Sequence, residues 1–183
     1  TYNEKDMKEA DIDIHFVQDN QSKSKRGVLR GLHFQMGEYA QAKMVSCLHG
    51  SIFNVAVDLR PGKCFGYSYS EVLSFENRKM MYIPKGFAHG YLTLEDDTLM
   101  QWCVDQDFCG EAAQAVRYDD PDLVWKGEAW PKGEYIISEK DKNANKKRVN
   151  RSPWISMENR FAQTVDSTYD SRLPCGAPRS VSC

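Results

Sequence analysis

Long apolar runs are missing from this sequence, and so is any concentration of positive charge. No stretch approaches the roughly 18 consecutive apolar residues that a membrane-spanning helix needs, so we expect no membrane segment. The formal net charge is -2, and no basic stripe offers an electrostatic surface for nucleic acid. The first residues have neither the basic start nor the apolar run of a signal peptide, and we therefore expect a cytoplasmic protein.

Closely spaced cysteine pairs are also lacking, because none of the six cysteines stands in a CxxC arrangement. An even number would allow disulfides, but a chain of 183 residues is long for a scaffold that depends on them. We expect mostly reduced thiols that pack as small buried hydrophobic side chains.

A His-x-His pair is absent as well. A metal site on one strand typically uses two histidines two residues apart, together with a carboxylate and a third histidine. Here His33 is followed by phenylalanine and glutamine, and His89 has no partner nearby in the sequence. His15 and His49 are more typical of ordinary surface or strand positions. We therefore expect no metal ion, and this leaves metal-free acid–base chemistry.

What the sequence does contain is a series of short runs rich in β-branched and aromatic residues. Turn signals such as Pro61-Gly62 separate them, and none of the intervening stretches has helical periodicity. Many short strands at this spacing predict an all-β sandwich or barrel, with a short helix over residues 4–10. The predicted strands are 14–18, 27–34, 41–48, 51–59, 68–73, 80–83, 89–94, 98–104 and 113–118.

The last part of the chain differs from the rest in composition. Residues 146–183 are polar and low in hydrophobicity, and they end in "LPCGAPRSVSC". We expect one domain over residues 1–145, followed by a tail that is loosely packed or disordered.

The run "SIFNVAVDLR", residues 51–60, shows strict alternation. One face, which carries Phe53, Val55, Val57 and Leu59, is typical of a core. The other face mixes apolar and polar side chains. It suits either the wall of a partly polar pocket or a half-exposed strand, and the sequence leaves both open. Its residues are Ile52, Asn54, Ala56, Asp58 and Arg60.

The stretch "RGVLRGLHFQ", residues 26–35, carries two polar side chains in an otherwise strand-like pattern. In a regular strand, Arg30 and His33 would lie on opposite faces because side chains alternate. Both can reach one pocket only if the strand bends or bulges between them. Gly31 is the residue that tolerates such a change, and we expect the irregularity there.

Three residue types in this sequence suit proton abstraction. A histidine is the usual general base near neutral pH, and a carboxylate that binds its ring fixes the tautomer. Asp141 and Asp58 are the candidates for that carboxylate. A lysine such as Lys43 would stabilise a developing oxyanion. Spacing alone does not choose among these residues.

Five blocks in a fixed order resemble the dTDP-4-dehydrorhamnose 3,5-epimerase family, over roughly residues 2–145. They are "FVQDNQSKSKRGVLRGLHFQ", "QAKMVSCLHGSIFNVAVDLRPG", "LSFENRKMMYIPKGFAHGY", "RYDDPDLVWKGEAW" and "ISEKDKN". The resemblance implies a metal-independent cupin, which is a β jelly-roll sandwich with a few short peripheral helices. It also implies a homodimer without a cofactor that acts in dTDP-rhamnose and polysaccharide biosynthesis.

The family epimerises carbons 3 and 5 of a nucleotide-linked 4-keto-6-deoxy sugar through an enolate. Carried over by resemblance, the base is His33 of "RGLHFQ" and its carboxylate partner is Asp141 of "SEKDKN". Lys43 of "QAKMV" is then the residue near the keto oxygen, where it would stabilise the enolate.

Substrate-binding residues follow from the same resemblance. Arg30 is expected to hold the phosphates of the sugar nucleotide. Gln18 and Asn20 of "FVQDN" match residues that line the nucleotide and sugar pocket, and His89 of "FAHGY" matches another sugar-site residue. Arg60 follows the pocket-facing parity of its strand and is a further candidate ligand.

Two departures from the family bear on function. The family's proton donor on the opposite face of the sugar is a tyrosine, and Phe108 stands at that position, counted back from the "DDP" block. Phenylalanine has no proton to donate. Tyr91, Tyr39 or water would have to replace it, or one or both inversions would be impaired. The family also begins with strands and an "RG.F"-type element that help bind the nucleotide, and we expect these to be missing before Thr1.

We therefore expect an epimerase that inverts carbon 3, carbon 5 or both, with His33 as the base. One alternative is a single-centre epimerase, and another is a non-catalytic cupin that binds a sugar nucleotide; the phenylalanine at position 108 motivates both. A metal-dependent cupin isomerase or oxygenase is disfavoured by the missing His-x-His pair.

Overall fold

The computed structural model describes residues 3–144 and 178–182. Within them the chain forms strands joined by short turns, two short α-helices and one 3₁₀ helix at Gly37–Tyr39. The helices are α1, Glu4–Glu9, and α2, Glu139–Lys142. The strands are β1 Gln18–Ser24, β2 Val28–Gln35, β3 Lys43–His49, β4 Ser51–Asp58, β5 Tyr67–Ser74, β6 Lys79–Ile83, β7 Phe87–Thr93, β8 Thr98–Val104, β9 Ala113–Ala115, β10 Val124–Trp125, β11 Ile136–Ile137 and β12 Arg179–Ser182.

The strands form two sheets that pack face to face. The first sheet has the order β1-β8-β3-β6-β12, and all its pairs are antiparallel. The second sheet has the order β10-β5-β4-β7-β2-β11, and β9 also pairs with β2. Side chains from both sheets meet in one buried cluster that includes Val45, Ile52 and Met100. This arrangement confirms the predicted all-β sandwich with a few short helices.

Strand β4 is buried along its whole length, on both faces. The predicted core face, with Phe53, Val55 and Val57, packs against the segment that follows β9. The other face turns into the space between the sheets, where Ile52 and Ala56 join the interior cluster. The half-exposed alternative is therefore wrong, and this second face forms part of the sandwich interior.

The predicted first strand, residues 14–18, is wrong in its position. The observed strand β1 begins at Gln18 and consists of the polar run "QDNQSKS", which pairs with β8. Ile14 and Phe16 instead pack beside α1 against the outer side of the first sheet. A strand can be formed by pairing with a neighbour even where its own residues have low β propensity.

The far end of the chain also differs in part from the predicted tail. Strand β12 pairs antiparallel with β6 and so extends the first sheet. Its backbone groups satisfy those of the β6 edge, which would otherwise lie open. The rest of the predicted tail, residues 146–177 and 183, lies outside the described residues.

Cysteine chemistry is mixed. Cys47, Cys103 and Cys109 are free thiols, as expected, whereas Cys64 is disulfide-bonded. Most of the described cysteines are therefore reduced, as predicted, but the predicted burial holds only for Cys47, since Cys103 and Cys109 are partly exposed. Sequence spacing does not reveal which cysteines meet in space, so the disulfide of Cys64 was not predictable. In the part of the chain that the structure describes, no helix has the length and hydropathy that crossing a bilayer requires.

Candidate active site

A bulge in β2 brings its two polar side chains to one face. Arg30 pairs with Tyr91 of β7, and His33 pairs with His89, so three steps along β2 match two steps along β7. The extra residue falls at Gly31, which has a φ of 124° and lies so close to β7 that a Cβ would meet backbone at 2.5 Å. The side chains of both pairs therefore point into the sandwich. The bulge confirms the expected irregularity at this glycine.

The first sheet supplies the opposite wall. Gln18 and Lys43 both pair with Val104 of β8, while Asn20 pairs with Trp102 two residues earlier. Paired residues in neighbouring strands share a face, and so do residues two apart in one strand. Gln18, Asn20, Lys43 and Trp102 thus face the interior from the side opposite His33.

A cavity of about 180 Å³ lies between these two walls. Its lining includes Arg30, His33, Lys43, His89, Tyr91 and Trp102. A second cavity of about 450 Å³ adjoins it, since the two share three lining residues, His33, Lys43 and Trp102. The wider cavity also contacts Phe108. The structure therefore brings most of the predicted site residues to one connected space.

His33 is held by a buried carboxylate. Its Nε2 lies 2.6 Å from Oδ1 of Asp141, which is 3% exposed. Asp141 stands in the first turn of α2, where the Ser138 hydroxyl accepts a hydrogen bond from its backbone N–H. A carboxylate only accepts hydrogen bonds, so Nε2 carries the proton and donates it toward Asp141. Nδ1 of His33 is then the nitrogen that is free to take a proton.

Lys43 is a buried cation at the start of β3. The residue is 8% exposed, and burial lowers the pKa of its ammonium from 10.5 to about 8. Among the described residues, no hydrogen bond or ion pair holds this ammonium. An unpaired buried cation is costly unless the site supplies negative charge when it works. Lys43 is therefore suited to stabilise an oxyanion that forms in the cavity.

His89 is buried and neutral. Burial lowers the pKa of its imidazole well below 6.5, and the charges of Lys43 and His33 lower it further. Its Nε2 lies 2.8 Å from Oδ1 of Asn54, to which it donates a hydrogen bond. Asn54 belongs to the mixed face of β4, so this face supports His89 from behind, although no residue of β4 itself lines either cavity. His89 can hold a sugar hydroxyl, but it has no charge to give at neutral pH.

Arg60 is placed differently from the other predicted ligands. Two guanidinium nitrogens donate to the carboxylate of Asp58 at 2.9 and 2.7 Å, and the guanidinium carbon lies 4.6 Å from the centre of the Phe87 ring. Arg60 lines neither of the two cavities. Because Asp58 is held in this ion pair, it is not the carboxylate that contacts His33, and Asp141 takes that position.

Gln18 and Asn20 form one hydrogen-bonded unit on β1. Nε2 of Gln18 donates to Oδ1 of Asn20 at 2.6 Å, and Nδ2 of Asn20 reaches the carbonyl of Trp102 at 3.4 Å. This unit lies beside Trp102, which lines both cavities, but neither Gln18 nor Asn20 lines them. The second amide hydrogen of Gln18 and the carbonyl oxygen of its side chain remain suited to a polar ligand.

Phe108 lies on an exposed loop at the rim of the wider cavity and is 68% exposed. Gln35 fixes this loop. Its Nε2 donates to the carbonyls of Tyr39 and Asp107, at 2.8 and 3.0 Å, and its Oε1 accepts from the Cys109 backbone N–H at 2.7 Å. Nothing in the sequence position of Gln35 indicates that it meets residues 72 and 74 positions away, so its role could not be predicted from the sequence.

Trp102 is a second site residue that was not predicted from the sequence. It lines both cavities and stands between Asn20 and Val45 in the first sheet. Its position on the interior face could have been obtained only by aligning β8 correctly with β1.

No group of three or more histidine, cysteine, aspartate or glutamate side chains is arranged to hold a metal within residues 3–144 and 178–182.

Taken together, the site has a base on one wall and a cation on the other. A base that takes a proton from a carbon next to a carbonyl leaves an electron pair that moves to the carbonyl oxygen. A cation near that oxygen lowers the energy of the resulting enolate. The arrangement of His33, Asp141 and Lys43 therefore suits proton abstraction beside a carbonyl group.

Comparison with known proteins points to one family. The family model described as dTDP-4-dehydrorhamnose 3,5-epimerase matches residues 1–148. The curated dTDP-4-dehydrorhamnose 3,5-epimerase of Methanothermobacter thermautotrophicus is 44% identical over 154 residues, which cover 82% of this chain and 81% of that protein.

Solved structures agree with this match. The epimerase of Legionella pneumophila, in complex with dTDP-4-keto-L-rhamnose, has a TM-score of 0.75 and 37% identity, covering 83% of this chain and 79% of the other. A 3'-monoepimerase from Streptomyces bikiniensis, in complex with dTDP-quinovose, has a TM-score of 0.74 and 27% identity, covering 85% and 78%. These neighbours and the two packed sheets confirm the predicted cupin-type sandwich.

Proposed function

The chain belongs to the dTDP-4-dehydrorhamnose 3,5-epimerase family, and from that premise we propose that it inverts carbons 3 and 5 of a dTDP-linked 4-keto-6-deoxy sugar. It is a sugar-nucleotide epimerase, as the sequence predicts. The observation that supports the proposed chemistry is the position of His33, bound to Asp141, across one cavity from the buried Lys43.

The reaction begins with proton abstraction by His33. Nδ1 takes the proton from carbon 3 or carbon 5, and the electron pair of that C–H bond forms a C=C bond while the carbonyl oxygen becomes an enolate. Asp141 stabilises the imidazolium through the 2.6 Å contact to Nε2. Lys43 faces the enolate oxygen from the opposite sheet. Return of a proton to the other face of the carbon inverts the centre.

The remaining predicted residues bind the substrate in this proposal. Arg30 is exposed where it lines the cavity, and its planar guanidinium suits the phosphates of a nucleoside diphosphate. Gln18, Asn20 and His89 offer hydrogen bonds to the sugar and nucleotide. Arg60 is not proposed as a direct ligand, since Asp58 already holds it.

Product analysis tests this function. The protein is incubated with dTDP-4-keto-6-deoxyglucose, and the configuration of each ring carbon is read by proton NMR from its coupling constants. We expect inversion at carbons 3 and 5. Tight binding without any change in the sugar would contradict catalysis and would select the sugar-nucleotide-binding protein that the sequence left open.

A single-centre epimerase is the second candidate function. Phe108 favours it, because the phenylalanine at the rim of the cavity has no hydroxyl with which to return a proton. The same NMR experiment separates the two candidates, since inversion at one carbon only would replace double inversion.

The pH dependence follows from Lys43. Its pKa of about 8 means that the ammonium loses its proton as the pH rises through this value, and the enolate then loses its cation. We expect kcat/KM to fall about tenfold for each pH unit above 8, measured between pH 6.5 and 10. Arginine keeps its charge throughout this range, so the alkaline fall should vanish in the residual activity of Lys43→Arg. An activity that stays level up to pH 10 would contradict this assignment.

We also propose a homodimer, which the family resemblance implies. Leu48 and Phe75 are exposed, and with Phe16 and Met80 they form the apolar part of a cavity of about 550 Å³ on the outer side of the first sheet. Arg78, Lys79 and Gln101 also line this cavity. Apolar surface of this kind is typical of protein–protein contacts. Analytical ultracentrifugation should give the mass of two chains, and the mass of one chain would rule the dimer out. The cytoplasmic location stays a prediction.

A further inference from the structure

The hydroxyl of Tyr91 is a polar group without a partner. Tyr91 is 5% exposed, and its oxygen is one of two buried side-chain polar atoms in the described residues that make no hydrogen bond. A buried hydroxyl that gives up water without a partner costs roughly 1–3 kcal/mol. Buried tyrosine hydroxyls usually find a partner, so this exception calls for a group that arrives only when the site is occupied.

Tyr91 stands at the reacting part of the site. It lines the same cavity of about 180 Å³ as His33 and Lys43. In the pairing of β2 with β7, Tyr91 is two residues beyond the partner of His33, on the same face. Diagonal neighbours of this kind lie roughly 7–8 Å apart. A tyrosine side chain is longer than a histidine side chain, so the hydroxyl of Tyr91 extends farther from this shared wall than the His33 ring does, toward the opposite sheet.

Other groups around the cavity are less suited to return the proton. Phe108 has no hydroxyl, and His89 is neutral with its Nε2–H already donated to Asn54. Tyr39 is 40% exposed and lines neither cavity. Lys43 is required at the enolate oxygen. Tyr91 is the residue that combines an unused O–H with a place in the cavity wall.

We propose that Tyr91 donates the proton to the face of the sugar opposite His33, an inference that rests on the proposed epimerase function. His33 removes the proton from carbon 3 or carbon 5, and the bonding electrons enter the enolate. The O–H bond of Tyr91 then breaks, its proton forms the new C–H bond, and the enolate electrons return to that carbon. The tyrosinate regains a proton from solvent water, and the imidazolium of His33 loses one to it.

The test compares exchange with inversion in Tyr91→Phe. With dTDP-4-keto-6-deoxyglucose in heavy water, His33 can still remove a proton and return deuterium to the same face. We expect labelled sugar of unchanged configuration, while inversion falls by about 10²-fold or more relative to the unsubstituted chain. Tyr39→Phe is the matched control, and its rates of exchange and inversion should stay unchanged.

Stability separates this role from a structural one. Tyr91→Phe removes only an unpartnered oxygen, so its thermal midpoint should equal or exceed that of the unsubstituted chain. Inversion that stays within threefold of the original rate would overturn the proposal, and so would an equal loss of exchange and inversion. If the unsubstituted chain shows neither exchange nor inversion, the proposed function itself fails and this inference fails with it.

Discussion

The variant His33→Ala is expected to lose proton exchange at both carbons next to the carbonyl, by about 10²–10⁴-fold. The reason is that, of the two histidines that line the cavity, His33 is the one with a carboxylate partner, with Nε2 bound to Asp141 and Nδ1 free. The measurement is the rate at which deuterium from heavy water enters carbons 3 and 5 of dTDP-4-keto-6-deoxyglucose. His49→Ala is a suitable control, because His49 is exposed at the end of β3. This variant should exchange the substrate hydrogens at the rate of the unsubstituted chain.

Truncation of His33 also leaves the Asp141 carboxylate without its main partner, which is a cost to folding. His33→Gln keeps an N–H group that can donate to Asp141, but it has no basic nitrogen. This second variant should be as inactive as the alanine variant while it unfolds close to the original temperature. Exchange that persists in either variant would show that another group is the base.

The second large effect is expected for Lys43→Met, which should lose activity and gain stability. Without the cation, the enolate loses stabilisation worth about 10²–10³ in kcat. At neutral pH the folded protein carries a buried ammonium whose pKa is lowered to about 8, so removal of this charge should stabilise folding by about 1–3 kcal/mol. Exchange assays and urea denaturation measure the two effects.

Lys85→Met is the matched control for this prediction. Lys85 is half exposed and forms an ion pair with Asp105 at 3.0 Å. Surface ion pairs contribute about 0–1 kcal/mol, so this variant should change neither activity nor stability by much. A Lys43→Met protein that is less stable than the original, or equally active, would contradict the role assigned to the buried lysine.

Much of the fold was predictable because hydrophobic alternation carries the information. The alternation in β4 identified its core face, and strand parity showed that Arg30 and His33 need an irregularity at Gly31 to share a pocket. Both features depend only on local geometry. The polar strand β1 was misplaced by contrast, because its existence depends on pairing with β8 rather than on its own residues.

The candidate site was predictable as a set of residues but not as an arrangement. Resemblance indicated Asp141 as the partner of His33, yet residues alone left Asp58 equally suitable until its ion pair with Arg60 was seen. Gln35 and Trp102 act through contacts between segments far apart in the chain. Such contacts leave no local pattern for a sequence analysis to detect.

The phenylalanine at position 108 raised a question that sequence alone did not answer. The sequence named Tyr91 and Tyr39 as replacements without a reason to choose between them. Burial, cavity lining and the unpartnered hydroxyl now favour Tyr91. A hydrogen-bond count of this kind requires three-dimensional positions, which explains why the choice had to wait for the structure.

One measurement tests the central claim, that the site between His33 and Lys43 removes protons from the carbons next to a carbonyl. The unsubstituted protein is incubated with dTDP-4-keto-6-deoxyglucose in heavy water, and proton NMR follows the signals of the hydrogens on carbons 2, 3 and 5. We predict that the proton signals at carbons 3 and 5 disappear. The proton signal at carbon 2, which is not adjacent to the carbonyl, should be retained. Full retention of the carbon 3 and carbon 5 signals, with the sugar nucleotide bound, would contradict the claim.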